Sequence, residues 1–180
     1  LILVKPGTYN GRVRLDRAFA QGITVRSATP YQARLRHTET VVTCYTGQGI
    51  TLEGFDIAHA GPGAGALVVQ IQDLIAGPSA TERIVLRDNV FHDSFDNDLV
   101  KINNGARDVV VEGNVFYNQS GSDEHLDINS VIGVRIEGNV FFNDFEGSGR
   151  TNGNDTSSFV VIKDSNGLDD GIQGAQDVTV

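Results

Sequence analysis

A repeat of 25 residues is the sequence feature that most restricts the fold. Three segments share an apolar strand pattern, then an Asp-Asn or Gly-Asn pair, then Val-Phe, and they begin at Ile84, Val109 and Val134, a spacing of 25 residues. Weaker copies begin at Ile23 and Ile50. A fixed period of this length is typical of solenoids, in which each repeat buries its apolar side chains against the next. The sequence therefore predicts a stack of similar coils.

Each repeat is predicted to contribute three short strands. Apolar residues alternate in the first strand, as Ile84 and Leu86 do, and this is the period of a half-buried strand. The third strand aligns on Ile102, Ile128 and Ile162. No segment shows apolar residues at the spacing of a helix face. We therefore predict an all-β fold, a right-handed parallel β-helix with three strands per coil and about 25 residues per coil.

The corner after the first strand is the most regular part of the repeat. The Asp-Asn or Gly-Asn pair turns the chain, because these residue types tolerate left-handed backbone angles. Stacking of the coils lets the amides at this corner hydrogen-bond to one another and brings the following rings into contact. The equivalent residues are Asn89, Asn114 and Asn139 for the amides, Phe91, Phe116 and Phe141 for the rings, and His92, Tyr117 and Phe142 one position further on.

Composition and charge restrict the partners. The 180 residues are enough for one domain, which we assign to residues 1–180. The formal net charge of −9 argues against nucleic acid, and no apolar run approaches the roughly 20 residues of a membrane span. The lone Cys44 is expected to be a small buried residue. Because the chain begins and ends in strand-like runs without polar caps, we expect an excerpt of a longer chain that lacks both caps.

The Gly/Asp-Asn-Val-Phe corner and the opening run Val4-Lys-Pro-Gly-Thr-Tyr9 resemble the pectate-lyase-like superfamily of secreted β-helix proteins. That superfamily includes polysaccharide lyases, glycoside hydrolases, uronate epimerases, phage tailspikes and repeats without known activity. The resemblance implies an extracellular or cell-surface protein whose partner is an acidic polysaccharide or a cell-surface glycan. It covers essentially the whole chain but specifies coils, so the chemistry has to be argued from individual residues.

The resemblance also indicates where a substrate would bind. In lyases of this superfamily the strand two steps after the Asn corner forms the substrate groove, and its equivalents here contain Lys101, Asp127 and Lys163. With the apolar residues inside, the strands present two outward rows. The rows are Gln70, Lys101, Asp127 and Val161, and Gln72, Asn103, Asn129 and Lys163. Acid-rich loops precede these strands, so polar groups are predicted to converge on one face.

The chemistry that the resemblance implies is β-elimination of a uronate polysaccharide with Ca²⁺ as cofactor, since hard oxygen ligands suit that ion. The predicted Ca²⁺ ligands are Asp96, Asp98, Asp123, Glu124 and Asp127. The predicted catalytic residues are Lys101 and Lys163, as bases, and Arg150, which would hold a substrate carboxylate. The predicted substrate-binding residues are Asn103, Asn129 and His125.

Two hypotheses of different classes stay open. The first is a secreted carbohydrate-active enzyme, most specifically a Ca²⁺-dependent lyase, with glycan binding without turnover as a variant. The second is a non-catalytic extracellular structural, adhesive or filament-forming solenoid, which could associate end to end through its strand edges. In that case Lys101 and Asp127 form an ordinary cross-strand ion pair. The similarity of the coils, and a sequence without the Arg-x-Pro-x-x-Arg stretch of well-defined lyases, favour the second.

Overall fold

The computed structural model describes residues 1–73, 81–120, 123–147, 158–164 and 174–180. These ranges contain nineteen strands and no helix. The strands are, in order, β1 (Ile2–Val4), β2 (Gly7–Asn10), β3 (Val13–Arg14), β4 (Ala18–Ser27), β5 (Ala33–His37), β6 (Val42–Cys44), β7 (Gln48–Glu53), β8 (Asp56–His59), β9 (Val69–Gln72), β10 (Glu82–Arg87), β11 (Val90–His92), β12 (Val100–Asn103), β13 (Arg107–Glu112), β14 (Val115–Tyr117), β15 (Leu126–Asn129), β16 (Ile132–Glu137), β17 (Val140–Phe142), β18 (Val160–Lys163) and β19 (Gln176–Thr179).

The strands form three sheets that the chain visits in turn. Sheet A has the order β1-β4-β7-β10-β13-β16-β19, sheet B the order β2-β5-β8-β11-β14-β17 and sheet C the order β3-β6-β9-β12-β15-β18. Neighbouring strands in each sheet are parallel, as the pairs of β10, β11 and β12 illustrate. Three consecutive strands therefore make one coil, and the predicted parallel β-helix with three strands per coil is confirmed.

The predicted register is confirmed in each sheet. In sheet A, Val85 pairs with Val110. In sheet C, Ile128 pairs with both Ile102 and Ile162. In sheet B the corner phenylalanines pair and their rings stack, with centroids 5.0 and 4.8 Å apart along the series Phe91, Phe116 and Phe141. The inward side chains of all three sheets form one continuous apolar core.

The predicted asparagine ladder closes each buried corner. The Oδ1 atom of Asn114 accepts hydrogen bonds from the backbone N and the side-chain Nδ2 of Asn89, at 2.9 and 3.2 Å. The Nδ2 atom of Asn114 donates to the carbonyl of Leu86 at 2.9 Å. Asn139 repeats this pattern one coil further on. Each side chain thus satisfies backbone groups of its neighbours that would otherwise be buried without partners.

The residue before each ladder asparagine has a positive φ, as the sequence predicted. The angles are 51° at Asp88, 66° at Gly113 and 64° at Gly138. These values lie in the left-handed region, where Gly and Asp are accepted at low cost. At Gly113 a Cβ atom would lie 2.4 Å from the Oδ1 atom of Asp88. Glycine is therefore needed at this corner position in the coil that follows the one containing Asp88.

The expected burial of Cys44 is confirmed, and ion pairs lie on the outer face of sheet A. Cys44 is buried, and burial raises the pKa of its thiol to about 12. On the outer face of sheet A, Arg26 pairs with Glu53 at 2.8 Å and Arg87 pairs with Glu112 at 2.5 Å. The described residues include no helix of the length and apolarity that a membrane span needs.

The asparagine ladder gives a test of the fold. We expect Asn114→Leu to lower the free energy of unfolding by about 3–5 kcal/mol, because it leaves the Asn89 amide and the Leu86 carbonyl buried without partners. Chemical denaturation followed by circular dichroism measures the change. Asn10→Leu, at an exposed position of β2, is the control and should change stability by no more than about 0.5 kcal/mol. Equal stability of the two variants would contradict the ladder.

Candidate functional site

The outward side chains of β9, β12, β15 and β18, together with the loops that precede β12 and β15, are here called the sheet C face and carry most of the predicted site residues. One row aligns Gln70, Lys101, Asp127 and Val161, because each residue is the backbone partner of the next. The second row aligns Gln72, Asn103, Asn129 and Lys163 in the same way. Both predicted rows are therefore present, and their members are separated by the strand spacing of about 4.8 Å.

Asp127 is the centre of an ionic cluster on this face. Its Oδ2 atom lies 2.5 Å from the Nζ atom of Lys101 and 3.0 Å from the Nζ atom of Lys163. Asp127 is fully buried although it points outward, while the side chains of Lys101 and Lys163 are 22% and 37% exposed. The cross-strand ion pair of Lys101 and Asp127 is thus formed and joins the coils of β12 and β15, and the contact of Asp127 with Lys163 extends the cluster to β18.

Lys101 is held in its protonated form. Burial works to lower the pKa of this ammonium group, but the hydrogen bond to Asp127 and the charges of Asp127 and Asp98 outweigh burial and raise it. A lysine acts as a base only after it loses its proton. In this arrangement Lys101 is therefore a hydrogen-bond donor and a positive charge.

Asp98 lies beside this cluster and is buried. Its Oδ1 atom accepts a hydrogen bond from the backbone N of Glu124 at 2.9 Å, and its Oδ2 atom lies 3.6 Å from Nζ of Lys101. Burial raises the pKa of Asp98 to about 7, with further contributions from a side-chain hydrogen bond with Glu124 and from the charge of Asp127. The hydrogen bond from the Glu124 backbone and the Lys101 charge work against this rise. The net result is a carboxyl group that titrates near neutral pH.

Three carboxylates converge next to Lys101. One oxygen each from Asp98, Asp123 and Glu124 can be chosen so that all three lie within 4.8 Å of one another. Two oxygens bound to one Ca²⁺ at about 2.4 Å cannot be more than about 4.8 Å apart, so the spacing fits a shared cation. In addition, the Oδ1 atom of Asp127 is buried and has no hydrogen-bond partner among the described residues.

Asp96 lies apart from the other predicted ligands. Its Oδ2 atom accepts a hydrogen bond from the backbone N of Ala66 at 2.7 Å and lies beside Gly65 of the preceding coil. Of the five predicted ligands, the structure therefore brings Asp98, Asp123 and Glu124 together, places Asp127 on the neighbouring lysines, and turns Asp96 towards an earlier loop.

The predicted substrate-binding residues are less accessible than the outward rows suggest. His125 is fully buried; its ring packs against Phe159 at a centroid distance of 4.8 Å, and its Nε2 atom lies 3.1 Å from Oδ1 of Asn143. Asn103 and Asn129 are in register but buried. The second amide row is therefore present without forming an exposed surface. Arg150 lies outside the described residues.

A second ionic cluster lies on sheet B, and the sequence did not predict it. The Nε2 atom of His92 lies 2.9 Å from Oδ1 of Asp56, and its Nδ1 atom lies 2.8 Å from Oδ2 of Asp93. Arg36 also contacts Asp56. The predicted register of His92 with Tyr117 is present, with ring centroids 4.8 Å apart. The available signal was strand alternation, which places Asp56 and His92 on the same outer face of neighbouring strands.

Comparison of the chain with protein-family models, with curated proteins and with solved structures gives no significant match. What the structure supports is the parallel β-helix itself, built from three sheets of stacked strands. The activity therefore has to be inferred from the two clusters described above, of which the sheet C face contains the predicted ligands and lysines.

The buried carboxyl of Asp98 gives a pH-dependent prediction. Because its pKa is raised from 3.8 to about 7, Asp98 keeps a proton in the folded chain at pH values where the unfolded chain has lost it. Its contribution to stability is therefore greatest below about pH 4 and is lost as the pH rises to about 7. We expect Asp98→Asn, which retains an acceptor for the Glu124 amide, to gain stability relative to wild type over this interval, by at most about 1.4 kcal/mol per pH unit.

Urea denaturation of wild type and Asp98→Asn at several pH values between about 4 and 8 measures this difference. The other ionisable groups are common to both proteins, so their titrations largely cancel. A stability difference that stays constant over the whole interval would show that Asp98 does not titrate in the folded state as described.

Proposed function

We propose that this chain belongs to an extracellular carbohydrate-active β-helix protein that binds an acidic polysaccharide on the sheet C face through Ca²⁺. The observation that carries the proposal is the convergence of Asp98, Asp123 and Glu124 beside the ammonium group of Lys101, which Asp127 links to Lys163. The two lysines lie on parallel strands of sheet C, and the three carboxylates lie in the loops that precede β12 and β15. A polyuronate presents carboxylates at regular intervals, so it can be recognised by both a bridging cation and ammonium groups.

The donor set fits Ca²⁺. All the converging atoms are carboxylate oxygens, the hard ligands that this ion prefers. Two features point to a missing positive charge: the Oδ1 atom of Asp127 is buried without a described partner, and burial raises the pKa of Asp98. Asp98, Asp123 and Glu124 would hold the ion. Bound there, it would neutralise protein carboxylates and attract a carboxylate of the ligand.

The lysines supply the second part of the binding surface. Lys163 is the more exposed of the two, and its Nζ atom lies 3.0 Å from Asp127. An ammonium group at the end of a flexible side chain can contact a ligand carboxylate while its stem stays on the protein. Because the chain carries a net charge of −9, a polyanion would otherwise be repelled. Local cations on one face therefore determine where it can bind.

Cleavage is a further step that requires a base. Lys101 is a poor base in this arrangement, because Asp127 raises its pKa. Lys163 is the other predicted base, and it too is paired with Asp127. For either lysine to remove a proton, its contact with Asp127 would have to be released. The arrangement therefore supports binding better than turnover, and β-elimination is the second candidate activity.

A non-catalytic scaffold is the candidate function of a different class. The observation in its favour is that the Asp127 ion pairs join three successive coils, which is a structural role in itself. A measurement of Ca²⁺ affinity distinguishes the scaffold from the glycan-binding protein, since a scaffold does not require Asp123 and Glu124 to bind a cation. A polyuronate binding assay then separates a metal-stabilised scaffold from a glycan-binding face.

The calcium site is tested by isothermal titration calorimetry. We expect the wild-type protein to bind Ca²⁺, and we expect Asp123→Asn and Glu124→Gln each to weaken binding at least about tenfold, a loss that even outer-shell substitutions often cause. Asp96→Asn is the matched control, because the Asp96 carboxylate faces Ala66, and it should leave the affinity unchanged. Equal affinities of all four proteins, or no binding to wild type, would contradict the site.

The glycan is tested by affinity electrophoresis in gels that contain polygalacturonate or alginate, with either Ca²⁺ or a chelator. We expect retardation of the wild-type protein in Ca²⁺ only, and weaker retardation of Lys163→Gln. Ca²⁺ binding without retardation in either gel would reject the glycan and favour the scaffold. In the same samples, a rise in the ultraviolet absorbance of unsaturated uronate would show turnover in addition to binding.

A further inference from the structure

The cluster around His92 lies on the outer face of sheet B and connects successive coils. Arg36 comes from β5, Asp56 from β8 and His92 from β11. In register, Ala58 is the backbone partner of both Arg36 and His92. Because Ala58 is small, the two longer side chains reach across it, and the Nη2 atom of Arg36 lies 3.4 Å from Nε2 of His92. These contacts tie three coils together outside the core.

The contacts with two carboxylates favour a protonated imidazole. Both ring nitrogens of His92 face carboxylate oxygens, Nε2 at 2.9 Å from Asp56 and Nδ1 at 2.8 Å from Asp93. A neutral imidazole donates through only one nitrogen and accepts through the other. A carboxylate oxygen facing the accepting nitrogen would meet a second lone pair. Both contacts are therefore hydrogen bonds only when the ring is an imidazolium.

The carboxylates around the ring outweigh the effect of its burial on the pKa of His92. The side chain is 11% exposed, and burial works to lower the pKa of His92, but the hydrogen bonds to Asp56 and Asp93 outweigh burial and raise it. For Asp56, burial works to raise the pKa, and the contacts with His92 and Arg36 lower it overall. These two carboxylates are therefore the reason that His92 favours its protonated form.

Tyr117 and Arg34 are further ionisable side chains on the strands beside this cluster. Tyr117 of β14 stacks on the ring at 4.8 Å with an interplanar angle of 11°, and burial raises the pKa of its phenol from 10. Arg34 of β5 is the backbone partner of Asp56. Asp93 also accepts a hydrogen bond from Nδ2 of Asn118 at 3.1 Å. The pKa of His92 lies above its ordinary value of 6.5, so the ring keeps its positive charge to a higher pH than a free imidazole.

We propose that His92 is a proton-dependent clamp between the coils of β8 and β11. In its protonated form it joins Asp56 of one coil to Asp93 of the next, and loss of the proton leaves one carboxylate facing a nitrogen that no longer donates. The outer contact between β8 and β11 then weakens, and the β-helix becomes less stable. This inference concerns sheet B and does not depend on glycan or Ca²⁺ binding at the sheet C face.

The direction of the pH effect follows from linkage. The pKa of His92 is above its ordinary value of 6.5 in the folded chain. Its stabilising contribution is therefore fully present below about pH 6.5 and is lost as the pH rises through the higher folded pKa. Alkaline conditions loosen the clamp, and mildly acidic conditions close it.

The first test is a nuclear magnetic resonance titration of the His92 ring in the wild-type protein. We expect a midpoint above 6.5, and we expect Asp56→Asn and Asp93→Asn each to lower it. A wild-type midpoint at or below 6.5 would overturn the clamp, and this measurement needs no variant to fold.

The second test compares the stability of wild type and His92→Gln at about pH 5.5 and about pH 9. Gln stays neutral at both values, so we expect the difference in melting temperature to be larger at the lower pH. His37→Gln is the control on the same sheet; its Nε2 atom lies 4.0 Å from Glu39, which is beyond hydrogen-bond distance. A stability difference for His92→Gln that does not change with pH would overturn the proposal.

Discussion

The hydrogen-bonded register between successive coils is the constraint on which the rest of this structure depends. Parallel strands hold equivalent residues about 4.8 Å apart along the stack, so any residue type that recurs at one coil position meets its own copy. Asparagines at the corner can then share hydrogen bonds, as Asn89 and Asn114 do, and phenylalanines can stack, as Phe91 and Phe116 do. The same register brings Lys101 onto Asp127. Core, corner and candidate site are therefore consequences of one alignment.

What the sequence predicts well is what this register repeats. The alignment of Ile102 with Ile128 and the asparagine ladder follow from a fixed period and from strand alternation. Both of these patterns can be read directly from the sequence. The loops are different, because they vary in length and sequence from coil to coil. Nothing in the local pattern indicates that Asp96 turns back to Ala66. Such contacts depend on backbone paths that do not repeat.

Diagonal contacts between coils are a second limit on prediction from sequence. Asp56 and His92 are not register partners, since the partner of His92 is Ala58. Their contact arises because long side chains bend towards an adjacent row over a small residue, and that depends on rotamers as well as on spacing. The candidate carboxylate cluster forms differently, because Asp98 accepts a hydrogen bond from the backbone N of Glu124 in the loops that precede β12 and β15. Strand patterns therefore identify the face that carries polar groups, but not which of them touch.

The two ionic clusters differ in their charge balance, and this difference separates their roles. On sheet B the two carboxylates Asp56 and Asp93 are matched by Arg36 and a protonated His92. This cluster is balanced in charge without a further ion, and it links the coils with a strength that depends on the protonation of His92. On the sheet C face the carboxylates outnumber the two lysines, with Asp98, Asp123, Glu124 and Asp127 against Lys101 and Lys163. The two lysines cannot neutralise all four carboxylates, and burial raises the pKa of Asp98 to about 7. The carboxyl of Asp98 therefore retains a proton near neutral pH. A divalent cation would remove that imbalance, because it replaces a proton with a larger charge that several oxygens can share.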